Sequence, residues 1–458
     1  MSGELLLRDV EVGGRRVDVR VRDAEVAEVA PGLRPATAGA VVVEGRGGAL
    51  LPGLHDHHVH LLATAAARAS VAVGPADVGD AAGFAAALRG AAAARPPGCW
   101  VRAVGYDESV AGDLDRDRLD ALVPDRPVRV QHRTGARWVL NSAAIADAGL
   151  EGADHPGVER DGTGRPTGRV DRADAWLRRR LPEVGPPDLA PVGAELARYG
   201  VTGVTDATPY DDPEDLAALA AAACALPQRL VVTGGPALAA TPAPPGAERG
   251  PVKLVVDDAR DPDLDALVAG IAAAHDAGRS VAVHCVTRAA LALALAAWAA
   301  AGSRPGDRVE HGSVVPPEAA GRLADLGLTV VTQPALVHER GDRYLADVDP
   351  DDRPHLYPCR RLLDAGVEVA AGSDAPYGGT DPWAAMRAAV ERRTRSGAPL
   401  GPDEAVTPAQ ALALWLGAPL RPGGPPRRVA PGAPADLCLL HGPPPRTADD
   451  LTAAAVRL

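Results

Sequence analysis

The chain has 458 residues and a formal net charge of −12, from 48 basic against 60 acidic side chains. With no basic stripe and no basic-aromatic interleaving, that balance argues against nucleic acid as a partner. No apolar run reaches ~18 residues without a charge, Pro or Gly, so no membrane-spanning helix is expected; the N-terminus also lacks the pattern of a signal peptide.

Residues 1–50 alternate apolar and polar side chains in short pieces punctuated by Gly13-Gly14 and Asp23. Period two predicts half-buried antiparallel sheet. Between the ends, apolar strands alternate with Ala/Leu-rich helical stretches, the pattern of parallel βα units. A first strand is expected around Pro52-Gly53-Leu54, then strands at 201–206 and 229–232. Five more follow in succession at 252–256, 281–284, 308–311, 328–332 and 367–371. Eight is the number that closes a barrel. Two further candidates, 100–104 and 127–130, lie between the first and second strands and are assigned to an insertion at about 64–199, longer than an ordinary connection. A strand at 435–440 follows the Pro431-Gly432 turn. The segments 1–50 and 416–458 are therefore expected to form one small β domain beside a central domain at 51–415. The five cysteines (Cys99, Cys224, Cys285, Cys359, Cys438) are odd in number and lack metal-finger spacing, so a reduced, cytoplasmic setting is expected.

One basic residue is lysine, Lys253, in the apolar run Val252-Lys253-Leu254-Val255-Val256; every other one is Arg. A buried lysine can lose its proton and react with carbon dioxide or an aldehyde, which a guanidinium cannot do. The densest local motif is His55-Asp56-His57-His58-Val59-His60. Residues two apart share a strand face, so His58 and His60 point together and can grip one metal ion. His284 and His311 each end an apolar strand, and Asp374 follows the eighth. In a barrel of parallel strands that edge is the catalytic face.

The order HxH, Lys, His, His, Asp at the ends of strands one, four, five, six and eight resembles the amidohydrolase superfamily. These are metal-dependent hydrolases on a distorted (β/α)₈ TIM barrel with a small flanking β-sandwich. The resemblance runs from Leu5 to Leu439. Within it the chain is similar to the third amidohydrolase family, which includes N-acyl-D-amino-acid deacylase-like and N-substituted-formamide-deformylase-like members. Four stretches carry this: Gly105-Tyr106-Asp107-Glu108, Asn141-Ser142-Ala143-Ala144-Ile145, Val252-Lys253-Leu254 with Asp257, and Thr332-Gln333-Pro334. The resemblance implies two divalent metals, expected to be zinc. His58 and His60 would bind the more buried ion and His284 and His311 the more exposed one. Lys253, carboxylated by CO₂, would bridge them, and Asp374 would contact the first metal and move protons. An amine can form that anionic carbamate; a guanidinium of pKa above ~12 cannot. The implied reaction is cleavage of an amide, N-acyl or cyclic-amide C–N bond of a small molecule by a metal-bound hydroxide. Arg133, Arg137 and Arg288 are candidates to bind a substrate carboxylate, and the assembly is left open, with a homodimer among the options.

Some positions depart from the family pattern: Ala136 and Arg137 follow Gly135, Asp258 stands where Gly is usual, and Cys285-Val286-Thr287 follows His284. They bear on substrate identity more than on the ligand set. One rival reading is a one-metal aminohydrolase, which usually carries Glu where this chain has Thr287. Others are a barrel scaffold that has lost its metal, and a Schiff-base aldolase using Lys253, which would need no HxH strand.

Overall fold

The structure, a computed structural model, describes residues 3–182, 185–256, 263–454 and 456. Asp257, Asp258, Arg457 and Leu458 lie outside the described residues. The chain divides into two compact units, one of Met1–Leu61 with Asp188–Leu458, the other of Leu62–Pro187.

In the first unit, the N-terminal alternation folds into a four-stranded sheet of Leu5–Val12, Arg15–Arg22, Glu25–Ala30 and Val41–Glu44. Val12 pairs with Arg15, so Gly13 and Gly14 alone make the first turn, at φ 56° and 80°. Two successive left-handed residues form the hairpin turn whose twist matches that of the strands. The C-terminal strand Leu437–Leu439 pairs antiparallel with Leu50–Pro52. Leu7, Val10, Val19, Leu50, Val429 and Leu439 share one apolar core, so both chain ends bury their side chains together.

The expected first strand is split at Gly53. Leu50–Pro52 serves the terminal layer, whereas β1 (Leu54–Val59) opens a parallel sheet. A side chain at Gly53 would run into Thr202, so the crossing needs glycine. β1 pairs with β2 (Val201–Asp206), β2 with β3 (Arg229–Val232), and β3 with the short strand Ala247–Arg249. That last strand was not expected from the sequence. A second parallel sheet holds β4 (Val252–Val255), β5 (Val281–Cys285), β6 (Arg308–His311), β7 (Thr329–Thr332) and β8 (Val369–Ala371) in chain order. The two sheets meet at two seams. At one, Asp374 N–H donates to His58 O (2.7 Å) and His60 N–H to Ala375 O (2.9 Å). At the other, Lys253 N–H donates to Gly234 O (2.8 Å). Gly372 permits the first seam, because a Cβ there would lie 2.6 Å from both the N and Cβ of His58.

The second unit holds a six-stranded sheet in the order Val158–Arg160, Pro166–Asp171, Arg137–Leu140, Val128–His132, Val101–Tyr106, Val71–Ala72. Sequence patterning indicates two of these strands. The others are short or carry charges at alternate positions, which weakens the apolar signal.

Candidate metal centre

Every residue of β1 is buried, because a parallel strand has side chains packed against both faces. His55 uses Nε2 on Thr205 Oγ1 (2.9 Å), and Asp56 Oδ1 accepts from the backbone N–H of His58 (3.1 Å) and Ser373 (2.9 Å). These contacts fix the strand. Asp206, at the end of β2, accepts from the N–H groups of Leu61 (2.9 Å) and Thr208 (3.0 Å) and pins the chain just beyond His60.

His58, His60 and Asp374 converge, each offering a ligand atom within 4.8 Å of the others. Asp374 Oδ1 lies 3.5 Å from His58 Nε2 and 3.3 Å from His60 Nε2. Ligands ~2.0–2.1 Å from a tetrahedral zinc stand roughly 3.4 Å apart, so the spacing fits one ion. His311 joins them: its ring centroid is 4.7 Å from that of His58, and the His284 ring is 4.5 Å from His311. Lys253, on β4, is 3% exposed and within electrostatic reach of Asp374, His284 and His311. His58 Nε2, Asp374 Oδ1 and Lys253 Nζ are buried with no hydrogen-bond partner among the described residues. Buried polar atoms are nearly always satisfied, so the orphaned His58 Nε2 and Asp374 Oδ1 beside each other fit a place where a cation could bind.

Protonation equilibria agree with that use. Burial holds His58 down to about 3 and His284 well below the ordinary histidine value, leaving neutral rings able to ligate. Burial also lowers the Lys253 ammonium, favouring the neutral amine that carboxylation requires. For Asp374 burial pushes upward, but the facing imidazoles of His60, His311 and His58 outweigh it, and the carboxylate stays ionised.

Two ligand-type residues reach the centre through left-handed backbone, His311 at φ 69° and Asp374 at φ 53°. On β6 this turn lets Glu310 and His311, adjacent in sequence, both join the cluster. Glu310, which the sequence reading did not single out, accepts from His58 Nδ1 through Oε2 and pairs with Arg308 Nε (2.5 Å) through Oε1. Gln333 Oε1 accepts from His311 Nδ1 and Thr208 Oγ1 bonds His60 Nδ1, both at 2.9 Å. The available signal for Glu310 was a carboxylate inside a strand expected to be buried on both faces.

The three arginines sit in ion pairs. In the second unit Arg133 Nε faces Asp107 (2.5 Å) and Arg137 Nε faces Asp171 (2.8 Å). In the first unit Arg288 opens the helix Arg288–Ala301 and its Nε donates to Asp352 (2.9 Å).

Residues 41–457 match the sequence model of the amidohydrolase family. The chain belongs to the amidohydrolase family. It is accordingly a hydrolase acting on carbon–nitrogen bonds other than peptide bonds, with small-molecule substrates. It is 28% identical to the N-substituted formamide deformylase of Arthrobacter pascens over 91% of this chain and 86% of that one. An uncharacterized metal-dependent hydrolase from Pyrococcus horikoshii OT3 shares the fold at a TM-score of 0.74 and 19% identity, covering 96% of this chain and 98% of that one. N-isopropylammelide isopropylaminohydrolase from Burkholderia multivorans aligns at a TM-score of 0.55 and 18% identity, covering 100% and 96% of the two chains. Among the described residues no helix is long and apolar enough to cross a membrane.

Proposed function

We propose that this amidohydrolase cleaves an amide-type C–N bond, in an N-acyl, formamide or cyclic-amide substrate, at a centre of two divalent metals, both zinc. The convergence of His58, His60 and Asp374 at tetrahedral ligand spacing carries the reading. His58, His60 and Asp374 would hold one ion and His284 and His311 the other, with carboxylated Lys253 between them. When bound, such ions lower the pKa of water and polarise a carbonyl. Asp374, steadied by His60, would take the proton of the attacking water at Oδ1 and return it to the leaving nitrogen. Gln333 and Thr208 would hold His311 and His60 in the required ring orientation.

In this reading the two parallel sheets form one distorted (β/α)₈ barrel spanning 51–415, with 64–199 inserted. The segments 1–50 and 416–458 form the flanking sandwich. Support comes from the hydrogen bonds at both seams and from the core shared by the chain ends. A substrate carboxylate at Arg133, Arg137 or Arg288 would share the guanidinium with Asp107, Asp171 or Asp352. The cytoplasmic setting is part of the same proposal; Cys99, Cys224, Cys285, Cys359 and Cys438 are all free thiols.

A one-metal aminohydrolase draws support from the grouping of three ligands alone within 4.8 Å. Against it, Thr287 occupies the position such enzymes give to a Glu, and here its side chain caps the next helix. Elemental analysis beside a screen of N-acyl amino acids, formamides and cyclic amides separates these readings. About two zinc ions per chain and turnover of one of these classes are expected. One ion would favour the aminohydrolase, and none would sink both. Lys253→Ala is expected to lose at least about 100-fold in activity, with partial recovery on adding a short carboxylic acid. Turnover equal to that of the parent would remove the bridging role.

A further inference from the structure

We propose that Glu310, clamped by Arg308, is a positioning residue that fixes the ring plane and tautomer of His58 for metal binding. The proposal rests on the metal-centre reading above and adds a part to it. The two oxygens of Glu310 are divided between Arg308 Nε, at 2.5 Å, and His58 Nδ1. An ionised carboxylate can only accept, so Nδ1 carries the proton and Nε2 presents its lone pair. That Nε2 is the atom 3.5 Å from Asp374 Oδ1, and it has no hydrogen-bond partner among the described residues.

His60 and His311 are held at Nδ1 too, but by neutral oxygens of Thr208 and Gln333. At Nδ1, the nitrogen facing away from the cluster, His58 meets a carboxylate where His60 and His311 meet neutral oxygens, which makes the other nitrogen of His58 the stronger donor. The Arg308 guanidinium lies against Glu310 and offsets its charge, and both side chains are 2% exposed or less. A buried ion pair of this kind adds little stability over a well-packed apolar pair. Its chemistry therefore points to what the carboxylate does for His58.

The bland alternative is that Glu310 merely neutralises Arg308. The double variant Arg308→Met/Glu310→Met removes both charges together and distinguishes the two. Zn²⁺ affinity is measured by competition with a chelator, and thermal unfolding is measured on metal-free protein. The double variant is expected to unfold near the parent temperature while binding Zn²⁺ 10–100-fold more weakly. Glu310→Gln, nearly isosteric and still an acceptor, is expected to lose less affinity and to change the visible spectrum of the Co²⁺-loaded protein. Should the double variant fail to fold, Glu310→Gln alone decides, with parental affinity and spectrum counting against the proposal. Parental Zn²⁺ affinity in the folded double variant overturns it outright. A parent protein that takes up no Zn²⁺ instead overturns the metal-centre reading itself.

Discussion

Two buried aspartates make an instructive pair. Asp307, just before β6, is filled: it accepts from Val281 N–H (2.9 Å), Arg304 N–H (3.0 Å), Trp298 Nε1 (3.0 Å) and His275 Nε2 (3.0 Å). Asp374, just past β8, has only ring nitrogens at 3.3 Å and 3.5 Å around an oxygen that forms no hydrogen bond. Both carboxylates are out of water, so burial does not separate their roles. Saturation does. A carboxylate whose lone pairs are all used ties elements together, whereas one left short of partners is reserved for something that arrives later.

Substitutions at each should diverge if that contrast is sound. Asp374→Asn is expected to lower kcat by roughly 10³-fold in metal-loaded protein. The unfolding temperature of the metal-free protein should stay level or rise; a large fall would make Asp374 a structural residue like Asp307. Asp307→Ala should do the reverse, costing about 3 kcal/mol of stability by stranding buried donors, with kcat per folded molecule unchanged. Urea unfolding beside active-site titration checks it, and a lost kcat at full folding would break the contrast. Glu4 is the mildest case, a carboxylate in the terminal sheet. It is pulled down to about 2 from 4.5 chiefly by the Ala36 N–H, against burial, with Arg20 and Arg22 adding to the pull. Its depressed value means its stabilisation is complete above pH 4.5 and vanishes as pH falls toward 2. Glu4→Gln should therefore lower the unfolding temperature slightly, by about 2 °C at pH 7, with the gap closing in acid.

Much of the parallel sheet was legible because buried strands leave continuous apolar runs, and a His or Asp ending such a run stands out. The split at Gly53 was not, since a strand serving two sheets looks like one strand. Most of the sheet of Leu62–Pro187 was hidden, in part because Arg137–Leu140 and Pro166–Asp171 mix Arg, Gly and Pro with their apolar residues. His58, His60 and Asp374 could be picked out as a group from residue type and spacing. Glu310 could not, because alternation assigns it the face opposite His311, and only the left-handed turn at His311 lets both neighbours serve one cluster.

That turn has a price for any effort to toughen the molecule. Non-glycine residues held left-handed cost roughly 1–2 kcal/mol each. Glycine at 311 or 374 would relieve the backbone and erase a donor in the same stroke. Selection for heat tolerance alone would drift toward those very replacements, so a screen for robust variants must read turnover at every round.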